Sequence, residues 1–166
     1  MTNILIIYDT RSGNTEEMAK HVAEGARELE YTDVRVKKVD KAKTSDIEWC
    51  DGIAVGTPTH CGLISWKLKR FFDEDVVDVW GEIDGKIGTA FSTSRGLGGG
   101  NELASTSVLN VLINCGLLVF GLTDYVDEDV TGHYGAVAVG RAGKPEKKIC
   151  RKLGRRLSEY TREKFG

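Results

Sequence analysis

Hydroxyl groups, an amide and a glycine crowd into Thr10-Arg11-Ser12-Gly13-Asn14-Thr15, directly after the apolar run Ile4 to Tyr8 and directly before Glu16 and Glu17. That combination can hold an anion. Serine and threonine hydroxyls and the free N–H groups of a helix start would donate to a phosphate, helped by the helix dipole. Gly13 lets the backbone turn closely around it. Two absences narrow the ligand: the loop has neither the G-x-G-x-x-G spacing of dinucleotide sites nor the G-K-[ST] ending of a P-loop. A monophosphate fits better than either. The plainer alternative is that Ser12 or Asn14 simply caps a helix.

Two further stretches have the same character. Gly56-Thr57-Pro58-Thr59-His60-Cys61-Gly62 follows a buried apolar run, and so does Ser92-Thr93-Ser94-Arg95-Gly96-Leu97-Gly98-Gly99-Gly100, in which four of nine residues are glycine. Such a glycine loop can bring bare backbone N–H groups against a flat, polar-edged ligand. A plain flexible connector would not need Ser-Thr-Ser ahead of the glycines. His60 reads equally as a solvated imidazole or a ring contact. An isolated cysteine such as Cys61 more commonly packs than reacts.

The elements that must position these loops are legible as alternating patterns. Ile4 to Tyr8, Gly52 to Gly56, Ile87 to Phe91 and Leu117 to Phe120 are apolar runs without polar alternation, which predicts strands buried on both faces. Val34 to Val39 alternates and fits an edge. Val137 to Val139 fits a continuation of the last strand after an interruption. Between them, spacings of three and four predict amphipathic helices over Thr15 to Glu30, Ser65 to Phe72 and Glu102 to Asn114, and a final one over Glu146 to Lys164 with Pro145 in its first turn. Alternating strand and helix predicts a parallel sheet with helices on both faces and right-handed connections. In such a sheet ligands bind at the carboxyl ends of the strands, so the three loops form one surface.

Composition sets the outer bounds. At 166 residues the chain fits one domain, 1–166, and its 40% hydrophobic and 29% charged content argues against both disorder and a membrane protein. The net charge of -2 gives no basis for nucleic-acid binding, and the basic run Lys144 to Lys164 reads as a solvated helix face. The start of the chain, with neither a basic leader nor an apolar stretch long enough to span a membrane, predicts a cytoplasmic protein. Cys50, Cys61, Cys115 and Cys150 form no C-x-x-C pair, which argues against a zinc site and a redox dithiol.

Taken together, the three loops resemble those of flavodoxin-like proteins. More narrowly, Gly56-Thr57-Pro58-Thr59, Leu68 to Asp73, Trp80, Gly98 to Glu102 and Tyr134-Gly135-Ala136 look like WrbA-type NAD(P)H:quinone oxidoreductases. The resemblance covers nearly the whole chain and implies an α/β three-layer sandwich with a five-stranded parallel sheet of order 2-1-3-4-5. It also implies FMN as cofactor. Its phosphate would lie at Thr10, Arg11, Ser12, Gly13, Asn14 and Thr15, and its ring would be held by Pro58, Thr59, His60, Cys61 and Gly62. Thr93, Ser94, Arg95, Gly96, Leu97, Gly98 and Gly99 would touch the ring or ribityl chain. Trp80 would supply an aromatic wall, and Cys115 would stand beside the cofactor where the WrbA-type family places a histidine before a glycine. His133 and Tyr134, after the acidic stretch Asp124 to Asp129, would form the far rim.

The departures from the WrbA pattern point to function. The long insertion after the second strand is missing, only Asp40 to Asp46 occupying its place, which argues against that family's tetramer and leaves a monomer or dimer. Cys115 is also a poorer proton-donor partner for quinone chemistry than histidine. The resemblance therefore favours an electron carrier of the flavodoxin type, exchanging electrons with redox proteins such as ferredoxin or iron–sulfur enzymes. The alternative is an NAD(P)H:quinone oxidoreductase using the same FMN. A response receiver on this fold would need clustered acidic residues after the first strand, where only Asp9 stands.

Overall fold

A computed structural model describes residues 1–128 and 130–166. The central strands are β1 (Thr2–Tyr8), β3 (Gly52–Pro58) and β4 (Ile87–Ser94), with β2 (Thr32–Lys38) at one edge and β5 (Leu118–Val119) at the other, in the parallel order β2-β1-β3-β4-β5. Ile4, Leu5, Ile6 and Ile7 are all fully buried, as a strand covered on both faces requires. Helices α1 (Asn14–Ala26) and α6 (Lys144–Phe165) cover one face, their Met18, Val22, Ile149, Leu153 and Leu157 packing on Ile4, Ile6 and Ala54. The other face carries α2 (Thr44–Trp49), α3 (Trp66–Arg70), α4 (Trp80–Ile83) and α5 (Asn101–Asn114), with Ile47, Leu68, Ile83, Val108 and Leu112 against Leu5, Ile7, Ile53 and Val55. The expected sandwich and strand order are those observed.

Edge strand β2 is half-buried along most of its length. Its Lys37 and Arg35 pair with the carboxylate of Asp46, which is 2% exposed, at 2.7 and 3.6 Å. Charges of this kind also discourage pairing with another chain's strand.

The far edge differs from expectation in one respect and agrees in another. Leu117 to Phe120 is not a strand buried on both faces: only Leu118 and Val119 pair with β4, and Leu118 is 55% exposed. At Gly121 the chain leaves the sheet, passing so close to the His133 carbonyl that no side chain would fit. It then forms an antiparallel ribbon of β6 (Leu122–Asp127) and β7 (Val130–Gly132), so Asp124 and Asp127 of the acidic stretch lie in a strand; Asp129 lies outside the described residues. β8 (Ala136–Val139) returns beside β4 in parallel, opposite Phe91 to Ser94, and completes the interrupted strand as expected.

Helix boundaries shift for local reasons. α1 ends at Ala26 rather than Glu30, because Tyr31 takes a left-handed φ of 62° and its carbonyl accepts the N–H of Thr2, turning the chain into β2. The helix over Ser65 to Phe72 continues beyond Arg70 through a π turn at Phe71–Asp75 and a 3-10 turn at Val76–Val79 into α4. Among the described residues no helix is long and apolar enough to cross a membrane.

Candidate functional site at the carboxyl ends of the strands

The first loop is closed by its own polar groups. Asp9, 6% exposed, accepts the N–H of Thr10 at 2.9 Å, while its own N–H donates to the Gly56 carbonyl at 3.0 Å. Thr10 Oγ1 accepts the N–H of Gly13 at 3.0 Å. Gly13 takes φ +90°, and a Cβ there would meet nothing within 4 Å, so this glycine faces open space at the mouth of α1. Helix geometry leaves the N–H groups of the first turn without carbonyl partners. They point into the same mouth as the exposed Arg11 and Ser12 and the half-buried Asn14. This is a cradle with room, donors and favourable dipole for an anion.

The second loop leaves β3 at Pro58, which lies opposite Thr93 of β4. Thr59 donates twice to the Thr93 carbonyl, from its N–H at 2.7 Å and its hydroxyl at 2.8 Å. His60 and Leu63 then exchange backbone hydrogen bonds of 3.2 and 3.0 Å around Cys61 and Gly62, whose φ values are +52° and +78°. Positive φ at both central positions is the arrangement of a type I′ turn. Cys61 holds it as a non-glycine residue with its side chain exposed. The loop is anchored as it returns to α3: the Thr57 hydroxyl accepts the Ser65 N–H at 2.9 Å and donates to the Pro58 carbonyl at 2.8 Å.

In the third loop Ser94 Oγ donates to the Gly96 carbonyl at 3.0 Å, and the same carbonyl accepts the Gly99 N–H at 3.1 Å. Arg95 to Gly99 stand exposed, Leu97 at 95%. Gly100, with φ +82°, packs against the second loop: a Cβ there would lie 3.3 Å from the Gly62 α-carbon. Ser92 Oγ donates to the Asn101 carbonyl at 2.5 Å and fixes the entry to α5. All three loops meet at Thr93, because its hydroxyl lies 2.9 Å from that of Thr15.

These loops therefore form one continuous surface of hydroxyls and backbone amides with the cations Arg11 and Arg95 exposed upon it. It carries the features of a binding platform. The phenol beneath it, Tyr8, is pushed above its ordinary pKa by burial and then by Glu16, so it stays neutral and moves no proton near neutrality. The sequence matches the family described as Flavodoxin over residues 6–134. The chain belongs to the flavodoxin family. It is 60% identical to a flavodoxin of Aquifex aeolicus over 161 residues, covering 96% of this chain and 87% of that one. It is 30% identical to an NAD(P)H dehydrogenase (quinone) of Archaeoglobus fulgidus, covering 96% of this chain and 97% of that one, in an alignment of 186 positions. Among solved structures, a flavodoxin from the domain Archaea superposes with a TM-score of 0.79 at 23% identity, covering 97% of this chain and 99% of that one.

Two residues expected at the flavodoxin loops lie elsewhere. Cys115 caps the far end of α5, and the 14 residues of that helix separate it from the third loop by about 20 Å at 1.5 Å per residue. Trp80 lines the same cavity as Cys115, a cleft of about 310 Å³ with Lys69, Phe72, Asp73, Val76, Val77, Asn110, Val111 and Asn114. This chain's own fold thus withdraws both from the platform, because each precedes a strand and so sits at the amino ends of the sheet. His133 is held by the ribbon, its Nδ1 lying 3.0 Å from the Leu122 carbonyl, and Tyr134 by α5, its carbonyl accepting the Ser105 hydroxyl at 2.5 Å. Sequence reading missed Asp9 and Ser92 as loop supports. A carboxylate at a strand end directly before a threonine was the available signal for Asp9.

Proposed function

We propose that this flavodoxin-family chain, acting as a single domain, holds FMN on the platform and carries electrons between redox proteins. The observation that supports it best is the junction at Thr93, where an anion cradle, a tight turn and a glycine loop are tied into one surface. In this reading Thr10 to Thr15 hold the phosphate, with Gly13 giving it room. Pro58 to Gly62 and Thr93 to Gly99 hold the ring through backbone N–H groups and hydroxyls. When bound, the flavin supplies the electron-accepting and electron-donating chemistry. The protein's share is to orient the ring, to limit water at its inner face and to set the charge nearby. Arg95 places positive charge at the ring side. No side chain on the platform need exchange a proton with a substrate.

The partners expected for such a surface are ferredoxin-type or iron–sulfur redox proteins. The test is reconstitution with FMN, followed by anaerobic mixing with NADH and separately NADPH while the flavin's visible absorption is followed. A flavin that neither nucleotide bleaches, yet that a reduced iron–sulfur protein reduces readily, supports the carrier. Rapid bleaching reversed by a quinone would instead make the chain a quinone reductase, the activity named for the archaeal relative. Failure to bind FMN would overturn both.

A further inference from the structure

The hydroxyls of Thr15 and Thr93 are 2.9 Å apart and both residues are buried, at 1% and 6% exposure. They come from the first turn of α1 and the end of β4, 78 positions apart in the chain. Each hydroxyl has one proton, and either can be the donor. The carbonyl of the same Thr93 takes two hydrogen bonds from Thr59 at 2.7 and 2.8 Å. Residue 93 is thus gripped at its side chain by the anion loop and at its backbone by the second loop.

We propose that the Thr15–Thr93 hydroxyl pair is a positioning relay through which phosphate binding at the first loop orders Thr59 and the turn at Cys61-Gly62. The proposal rests on the reading that the first loop takes a phosphate. The dianion of a phosphate monoester accepts hydrogen bonds and donates none, so it commits the Thr15 proton to itself. Thr15 Oγ1 must then accept from Thr93, which sets the direction of the bond and holds the Thr93 side chain against the start of α1. A charge-assisted bond at one end of a hydrogen-bond chain strengthens the next. Loss of motion at one site also lowers the ordering cost at another. Thr93 acts here through its neighbours and is a positioning residue.

The experiment is amide NMR of the full chain at pH 8, free of flavin, titrated with methyl phosphate, in the unsubstituted protein and in Thr93→Val, Thr93→Ser and Thr93→Ala. In the unsubstituted protein the amides of Asn14 to Glu16 and of Thr59 shift together with one midpoint. In Thr93→Val, Asn14 to Glu16 still respond and Thr59 does not; Thr93→Ser restores the response. Thr93→Ala repeats the test without the valine's bulk should Thr93→Val fail to fold. The preference for FMN over riboflavin falls about five-fold in Thr93→Val, the scale of one net hydrogen bond, and is retained in Thr93→Ser. A Thr59 amide that answers phosphate equally in Thr93→Val overturns the relay. Shifts confined to Asn14–Glu16 in the unsubstituted protein overturn it while leaving the phosphate loop intact. No shift even there removes the phosphate reading and the relay together.

Discussion

Gly154 of α6 lies directly against the backbone of Val22 in α1, so close that a Cβ at residue 154 would collide with the Val22 carbonyl oxygen. Gly25 of α1 is pressed in the same way against the backbone of Arg151 in α6. The two helices therefore meet backbone to backbone at two glycines. A carbonyl in a helix cannot move aside as a side-chain tip can. Gly154→Ala is expected to cost about 3 kcal/mol, the upper end for overpacking, read as a lower urea midpoint. A cost under about 0.5 kcal/mol would show that the helices separate easily.

Gly62 and Cys61 share the strain of the turn at the platform. At φ +78° an alanine is disfavoured, and Gly62→Ala is expected to destabilise by about 1 kcal/mol. Under the FMN reading the same substitution moves the flavin's reduction potentials, because it changes which conformations the 61–62 peptide can adopt beside the ring. Redox titration of the reconstituted variant checks this, and unchanged potentials would remove Gly62 from the redox role.

Much of this arrangement was legible in the sequence, and what was missed has physical reasons. The runs at Ile4, Gly52 and Ile87 announce buried strands because burial on both faces removes polar alternation. The hydroxyl- and glycine-rich loops follow each run at the end where ligands bind. The ribbon β6–β7 escaped because its acidic residues Asp124 and Asp127 hide the pattern of a strand, although burial along Leu122 to Asp127 does alternate as in a half-exposed strand. α2 escaped because six residues give too little periodicity to see. Trp80 and Cys115 were misplaced for another reason: motif resemblance gives an order along the chain, whereas only the topology says at which end of the sheet a residue falls.

The four thiols should separate by reactivity, since the thiolate is the attacking form. Burial pushes Cys50 up to about 12, pushes Cys150 up strongly, and raises Cys115 as well. Cys61 is exposed on its turn. A disulfide reagent at pH 8 should therefore modify Cys61 quickly, Cys115 slowly and with a rate rising toward higher pH, and Cys50 and Cys150 only on unfolding. Peptide mapping of the labelled protein reads the order directly. Fast labelling of Cys115 would mean that its cavity opens.

Glu17 joins α1 to the start of α6. The Lys147 ammonium, 2.9 Å away, and then the Arg141 guanidinium hold its carboxyl below the ordinary glutamate range. A folded-state pKa below the unfolded one contributes stability above the unfolded value near 4.5 and loses it as pH falls through the folded value. Glu24, lowered by His21, and Asp40, lowered by Lys67, act with the same sign. Glu17→Gln should lower the urea midpoint slightly at pH 7, and the difference should vanish below the folded pKa. A difference that persists at pH 2 would point to lost packing rather than lost charge.

Arg95 stands exposed at the head of the third loop, ahead of the glycines that would lie along the ring. A cation there stabilises a reduced, anionic flavin more than the neutral oxidised one, so it raises the potential. Arg95→Gln should accordingly lower the potential of the FMN-loaded protein. Because the side chain is solvated, the interaction is screened, and the expected drop is on the order of 10 mV at low salt. Salt provides the control that separates charge from shape. If Arg95 acts through its charge, the gap between the two proteins closes as ionic strength rises toward 1 M. If Arg95 instead shapes the loop, the gap is insensitive to salt and Arg95→Lys fails to restore the potential. Redox titrations of the three proteins at low and high salt distinguish the cases, and equal potentials throughout would place Arg95 outside the electrostatic reach of the ring.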